Sequence, residues 1–241
     1  MPPRLPAVAV PAPVTETRTA RASRAALQAR AALSRASRRA VMAAAVALGA
    51  TMLMNAPVEA AVAIGQKAPD FIATDVTGQQ RRLSDFAGKF VVLEWTNPGC
   101  PFVRKHYGSG NMQSTQKAAA DKGVVWLAIN STERAASDYL PPPQLAAWMK
   151  EKSAAASHVL MDEDGTIGRA YGARTTPHLY IVDPKGVLVY AGGIDSIASA
   201  RADDIKNATN YVTRALGEAF GGQAISAAAT RPYGCSIKYK I

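Results

Sequence analysis

Glu94-Trp95-Thr96-Asn97-Pro98-Gly99-Cys100-Pro101-Phe102-Val103 is the stretch on which the fold turns. It continues Phe90-Val91-Val92-Leu93, and the run to Thr96 is apolar on both faces apart from Glu94 and Thr96, as a central strand covered by helices on each side requires. Thr96-Asn97-Pro98-Gly99 breaks the run, and Pro101 suits the first turn of a helix, where its missing N–H has no partner to lose. Cys100 therefore stands where a strand hands over to a helix. Unpaired N–H groups and the positive end of the helix dipole favour an anion there, which turns a thiol toward its nucleophilic thiolate. Arg104 and Lys105 add positive charge one turn on. The competing account of a free cysteine is a small buried hydrophobe.

Outward from this segment, strand and helix patterns alternate at short intervals, which predicts an α/β domain with a central mixed sheet flanked by helices. Phe71–Val76, Thr77-Gly78 and Gln79–Leu83 read as a leading N-terminal β-hairpin, followed by a short capped turn at 84–88. The helix that opens at Cys100 is interrupted at Gly108-Ser109-Gly110 and resumes over 111–122. Strands are expected at 124–130, 158–161, 175–182 and 187–191, and helices at 144–155, 164–172 and 203–220. Pro232 and Gly234 suggest a turn that presents Cys235.

The net charge of +10 is concentrated at the N-terminus: residues 1–61 hold eight arginines against two glutamates, a net of +6. The rest of the chain carries scattered charges of both signs, which is a soluble surface and argues against nucleic-acid binding. The basic stretch at 34–39, the apolar run 41–54 and small residues up to Ala61 follow the order of a secretory signal peptide. At about 14 residues the run is shorter than the roughly 20 of a spanning helix. The expectation is a periplasmic or secreted protein, with an organellar transit peptide or an uncleaved anchor as alternatives. The anchor would be the chain's one membrane contact. Three regions follow: a targeting segment at 1–61, a redoxin domain at 62–221 and a tail at 222–241 that carries Cys235.

The segment around Cys100 resembles the active site of thioredoxin-fold proteins, and Thr175-Thr176-Pro177 resembles the cis-proline segment that faces the cysteine in that fold. The order of elements and the leading hairpin resemble the peroxiredoxin-like branch, the alkyl hydroperoxide reductase and thiol-specific antioxidant superfamily. Cys100-Pro101-Phe102-Val103, Lys105-His106-Tyr107 and Gly234-Cys235-Ser236-Ile237-Lys238 are similar to a group of peroxiredoxin-like redoxins. Val103 occupies the place of the second thioredoxin cysteine, which removes the local two-cysteine mechanism. Asn97 stands where peroxiredoxins carry threonine or serine, with Thr96 one position further away.

The resemblance implies a thiol oxidoreductase in which Cys100 attacks a disulfide or a peroxide and an external dithiol resets the protein. Cys235, the second of two cysteines, either resolves oxidised Cys100, forms a structural bridge with it, or stays unpaired. Glu94 is a buried acid that moves protons for the thiol, or a solvated strand-end carboxylate. Thr96 joins the catalytic group, while Pro101, Thr176 and a cis Pro177 are expected to meet an extended substrate. His106 and His178 lie near enough for proton transfer, with packing the plainer role. Cysteine and histidine spacing gives no zinc signature, and no glycine-rich nucleotide loop is present, so neither a metal nor an organic cofactor is expected. The alternative function is a binding module that uses the same cysteine for a protein partner or copper.

Overall fold

The computed structural model describes residues 61–240. The targeting segment expected at the N-terminus lies outside them, apart from its last residue. Seven strands form one mixed sheet: β1 (Ile72–Asp75), β2 (Gln80–Arg82), β3 (Val91–Trp95), β4 (Val125–Asn130), β5 (His158–Met161), β7 (His178–Val182) and β8 (Leu188–Gly192). Their order is β2-β1-β5-β4-β3-β7-β8. β3 and β4 are parallel, as are β4 and β5, and the other pairs run antiparallel. The remaining strands, β6 (Thr175–Thr176) and β9 (Cys235–Ser236), form a separate antiparallel pair.

All five residues of β3 and all six of β4 are buried, because both faces of the sheet are covered. One face packs Val92, Trp126 and Ala128 against α1 (Pro101–Gly108), α2 (Asn111–Ala120), α3 (Pro142–Glu151) and α5 (Tyr211–Phe220). The other packs Val91, Leu93, Trp95 and Leu127 against Leu83 and α4 (Thr166–Tyr171). Fully buried side chains such as Leu93 and Leu127 contribute about 1.5–3 kcal/mol each through removal of apolar surface from water.

Several expectations need adjustment. The helix expected at 144–155 begins at Pro142 and ends at Glu151, since prolines are tolerated in a first turn. The long helix expected at 203–220 is two elements, a 3-10 turn at Ala202–Asn207 and α5. Asn210 separates them: its side chain accepts the Thr213 N–H at 2.9 Å and starts α5 afresh. The strand expected over 175–182 is divided at Pro177, whose peptide bond to Thr176 is cis, and its first piece leaves the main sheet. The turn expected to present Cys235 is a bend at Gly234, and Cys235 itself opens β9. No helix among the described residues is long and apolar enough to cross a membrane.

Candidate active site

Cys100 is the N-cap residue of α1 and has extended backbone, with Pro101 opening the helix behind it. Its thiol donates to the Thr176 carbonyl at 3.0 Å, which ties the helix start to the residue before the cis proline. β9 lies along the other side of that residue, with Cys235 directly opposite Thr176 in the antiparallel register. Two cysteines far apart in sequence thus converge on one peptide unit, and both are free thiols. Gly234 makes the approach possible: a Cβ there would lie 1.9 Å from the Thr176 carbonyl oxygen, and its φ of +141° is one that side-chain-bearing residues rarely adopt.

The two thiols differ in electrostatic setting. Burial pushes the Cys100 thiol up, but this is outweighed by the Cys235 thiol, the Val103 N–H of the first helical turn and the Thr176 hydroxyl, which leave its pKa below the ordinary thiol value. The Val103 amide does so from outside strict capping geometry. The Thr176 carbonyl works the other way, since it accepts the proton of the neutral thiol. Cys235 is pushed up by burial, then by its hydrogen bond and charge interaction with Cys100 and by Asp138. Cys100 is therefore the thiol that ionises first, and Cys235 is its proton-bearing neighbour. Cys100 is also covered, at 1% exposure, whereas Cys235 is half-buried.

Glu94 is wholly buried, which excludes the solvated alternative. Burial raises its pKa against the opposing pull of Trp126, Tyr107, Gln116 and Thr96. Trp126 Nε1 donates to Oε2 at 2.7 Å, the Tyr107 hydroxyl to Oε1 at 2.9 Å and Gln116 Nε2 to Oε2 at 3.2 Å, so Glu94 anchors α1 and α2 to the sheet. Thr96 lies two residues on, with its buried hydroxyl beside the Glu94–Tyr107 pair. Asn97 shapes the loop before the cysteine: its Oδ1 accepts the Gly99 N–H at 2.6 Å and its Nδ2 donates to Thr132 at 2.9 Å.

Against this geometry the comparisons are specific. Residues 64–191 match the AhpC/TSA family. The chain belongs to that family. Within it, the chain is a thioredoxin-like redoxin. It is 30% identical over 142 residues to the thiol-disulfide oxidoreductase ResA of Geobacillus kaustophilus, a span covering 58% of this chain and 75% of the relative. It is 32% identical over 130 residues to the thioredoxin-like protein YneN of Bacillus subtilis, covering 54% and 71% respectively. An uncharacterized conserved protein of Geobacillus kaustophilus superposes with a TM-score of 0.62 at 27% identity, over 74% of this chain and 93% of that one. A hypothetical protein of Sinorhizobium meliloti shares the fold, with a TM-score of 0.63 at 22% identity over 75% and 96%.

The AhpC/TSA match ends before Asp195, Tyr233 and Cys235, so half of the thiol neighbourhood comes from beyond it. Thr176, expected with Pro177 to meet an extended substrate, pairs with the chain's own β9 in this structure. His106 and His178 are buried, and burial drops their pKa values to about 4 and about 3, so both rings are neutral. Lys105, expected to lend charge to the helix start, is buried and paired with Asp195 at 3.4 Å. Gln116 and Asp195 carry no motif that marks them in sequence, and the segments that mark Asn97 and Tyr107 do not reveal what those side chains hold. The spacing of Tyr107 and Gln116 behind Cys100 gains meaning only once two helices fold over Glu94. Asp162, in the acidic cluster at 162–164, accepts the Ile167 and Gly168 N–H groups at 3.0 and 2.9 Å and caps α4.

Proposed function

We propose that the protein is an exported thiol-disulfide oxidoreductase in which Cys100 attacks a protein or small-molecule disulfide and Cys235 resolves the product. The hydrogen bond of the Cys100 thiol to the Thr176 carbonyl, with Cys235 paired directly opposite Thr176, carries this assignment. The Cys100 thiolate bonds to one substrate sulfur and the other leaves as a thiolate, giving a mixed disulfide. Cys235 then loses its proton to solvent and attacks Cys100 Sγ, which closes the Cys100–Cys235 disulfide and expels the second substrate thiolate. The substrate has gained two electrons, and an external dithiol returns two to the protein. Burial pushes the Glu94 carboxyl up from the ordinary glutamate value, which favours its proton-bearing form, and Glu94 holds Tyr107 of the active-site helix. The names of the curated relatives favour disulfide over peroxide as the substrate. The basic-then-apolar N-terminal pattern supports export, where disulfides persist.

Dithiothreitol-driven reduction of a protein disulfide and consumption of hydrogen peroxide, each measured for wild type, Cys100→Ser and Cys235→Ser, test the assignment. Cys100→Ser is expected to fall to background in disulfide reduction, and reduced Cys235→Ser, mixed with the substrate after dithiothreitol is removed, to hold it as a Cys100 mixed disulfide. Wild-type rates in Cys100→Ser would overturn it, and Cys100-dependent peroxide consumption without disulfide reduction would move the protein to the peroxidases.

A further inference from the structure

Four polar side chains are buried together beside the thiols: Lys105 and His106 of α1, Asp195 in the loop after β8, and Tyr233 two residues before Cys235. Lys105 Nζ lies 3.4 Å from Asp195 Oδ2, 3.4 Å from the Tyr233 hydroxyl and 3.2 Å from the Ile197 carbonyl. Asn111 Nδ2 donates to His106 Nδ1 at 2.8 Å, so the neutral ring carries its hydrogen on Nε2 and donates it to the Tyr233 oxygen at 3.1 Å. Tyr233 in turn donates to Asp195 Oδ1. Among the described residues the tyrosine hydroxyl thus hydrogen-bonds the tail to this network, while its ring lies 5.5 Å from Lys105 Nζ and stacks edge-on against Phe102 at 5.7 Å.

Burying a lysine and an aspartate side by side is costly unless every remaining donor and acceptor is met, and the pair adds little net stability over apolar packing. What such a group does supply is a defined geometry. Here it joins the helix that begins at Cys100 to the strand that carries Cys235. We propose that Tyr233, held by Lys105, His106 and Asp195, is the positioning residue that keeps Cys235 within reach of Cys100 and keeps the tail closed over it. This rests on the assignment of Cys235 as the resolving thiol.

The test is a two-phase titration of the reduced full chain with a symmetrical aromatic disulfide whose thiolate is coloured. Cys100 attack releases one thiolate and leaves the other bound to Cys100. Cys235 attack on Cys100 Sγ then releases that second thiolate and closes the protein disulfide, so the two cysteines lose two electrons and the reagent gains two. Tyr233→Phe keeps the ring and its stacking on Phe102 but cuts the link to Asp195 and His106. Loosening the tail uncovers Cys100 and lowers the local concentration of Cys235, so the first release is expected to be no slower and the second about tenfold slower, in line with loss of a hydrogen bond to a charged group. Lys105→Met, which removes the ammonium that holds Asp195, is expected to repeat this pattern, with the first release no slower and the second slowed.

A purely structural role would lower the thermal midpoint without separating the phases. The proposal is overturned if the second release keeps its wild-type rate in Tyr233→Phe, or if both phases slow together. Failure of the resolving assignment looks different: wild type itself would release a single thiolate, as Cys235→Ser does.

Discussion

Glu94 and Cys100 show how one strand–helix junction sets two protonation states in opposite directions. Glu94 has no cationic partner among the described residues and is buried, so its proton is retained above the ordinary glutamate value of 4.5. Between that value and its raised native pKa the folded protein binds more protons than the unfolded chain, so stability falls as pH rises through that window. Glu94→Gln removes the dependence. Urea midpoints for both proteins across pH are expected to show wild type losing ground to Glu94→Gln by up to about 1.4 kcal/mol per pH unit within the window. A difference flat in pH would contradict the assignment. The residues that mark this junction were legible in the sequence because strand, break, proline and cysteine are neighbours in the chain. Tyr107, Trp126 and Gln116 were not, since their relation to Glu94 depends on two helices and a second strand folding around it.

At the scale of elements, the decisive contact is a two-residue ladder between β6 and β9. Gly234 sets how closely they approach. Gly234→Ala places a methyl group against the Thr176 carbonyl and puts a side chain at a positive φ. It is expected to cost at least about 1 kcal/mol and to lift β9 away. The accompanying readout is alkylation of Cys100, which should become markedly faster than in wild type, where the thiol is 1% exposed. Labelling as slow as wild type would mean that β9 does not cover the thiol. Element types were mostly readable from periodicity, including the interruption of the active-site helix at Gly108-Ser109-Gly110, where the structure ends α1 and begins α2. The break before α5 was not, because apolar spacing continues across it while Asn210 caps a new helix. A strand as short as β9 has too few residues for any periodicity to mark it.

The whole molecule brings together two cysteines that lie 135 positions apart. Their disulfide would restrict the unfolded chain and stabilise the fold by about 5 kcal/mol through loop closure, provided the bond is unstrained. Urea denaturation is therefore expected to show a higher midpoint for the oxidised than for the reduced wild type, with Cys235→Ser indifferent to redox state. Equal midpoints in wild type would count against a bond between these two sulfurs. The α/β class and the mixed sheet follow from the order of patterns in the chain, whereas the return of the tail to the active-site helix rests on contacts of Lys105 and Tyr233 with Asp195, which lies outside every motif quoted from the sequence. The most direct measurement is a disulfide map: the reduced chain is oxidised with limiting disulfide, digested without reductant and its linked peptides identified by mass. The predicted result is Cys100 joined to Cys235 within a monomer; Cys235 recovered as a free thiol while Cys100 is oxidised or bonded to a second chain would contradict the account.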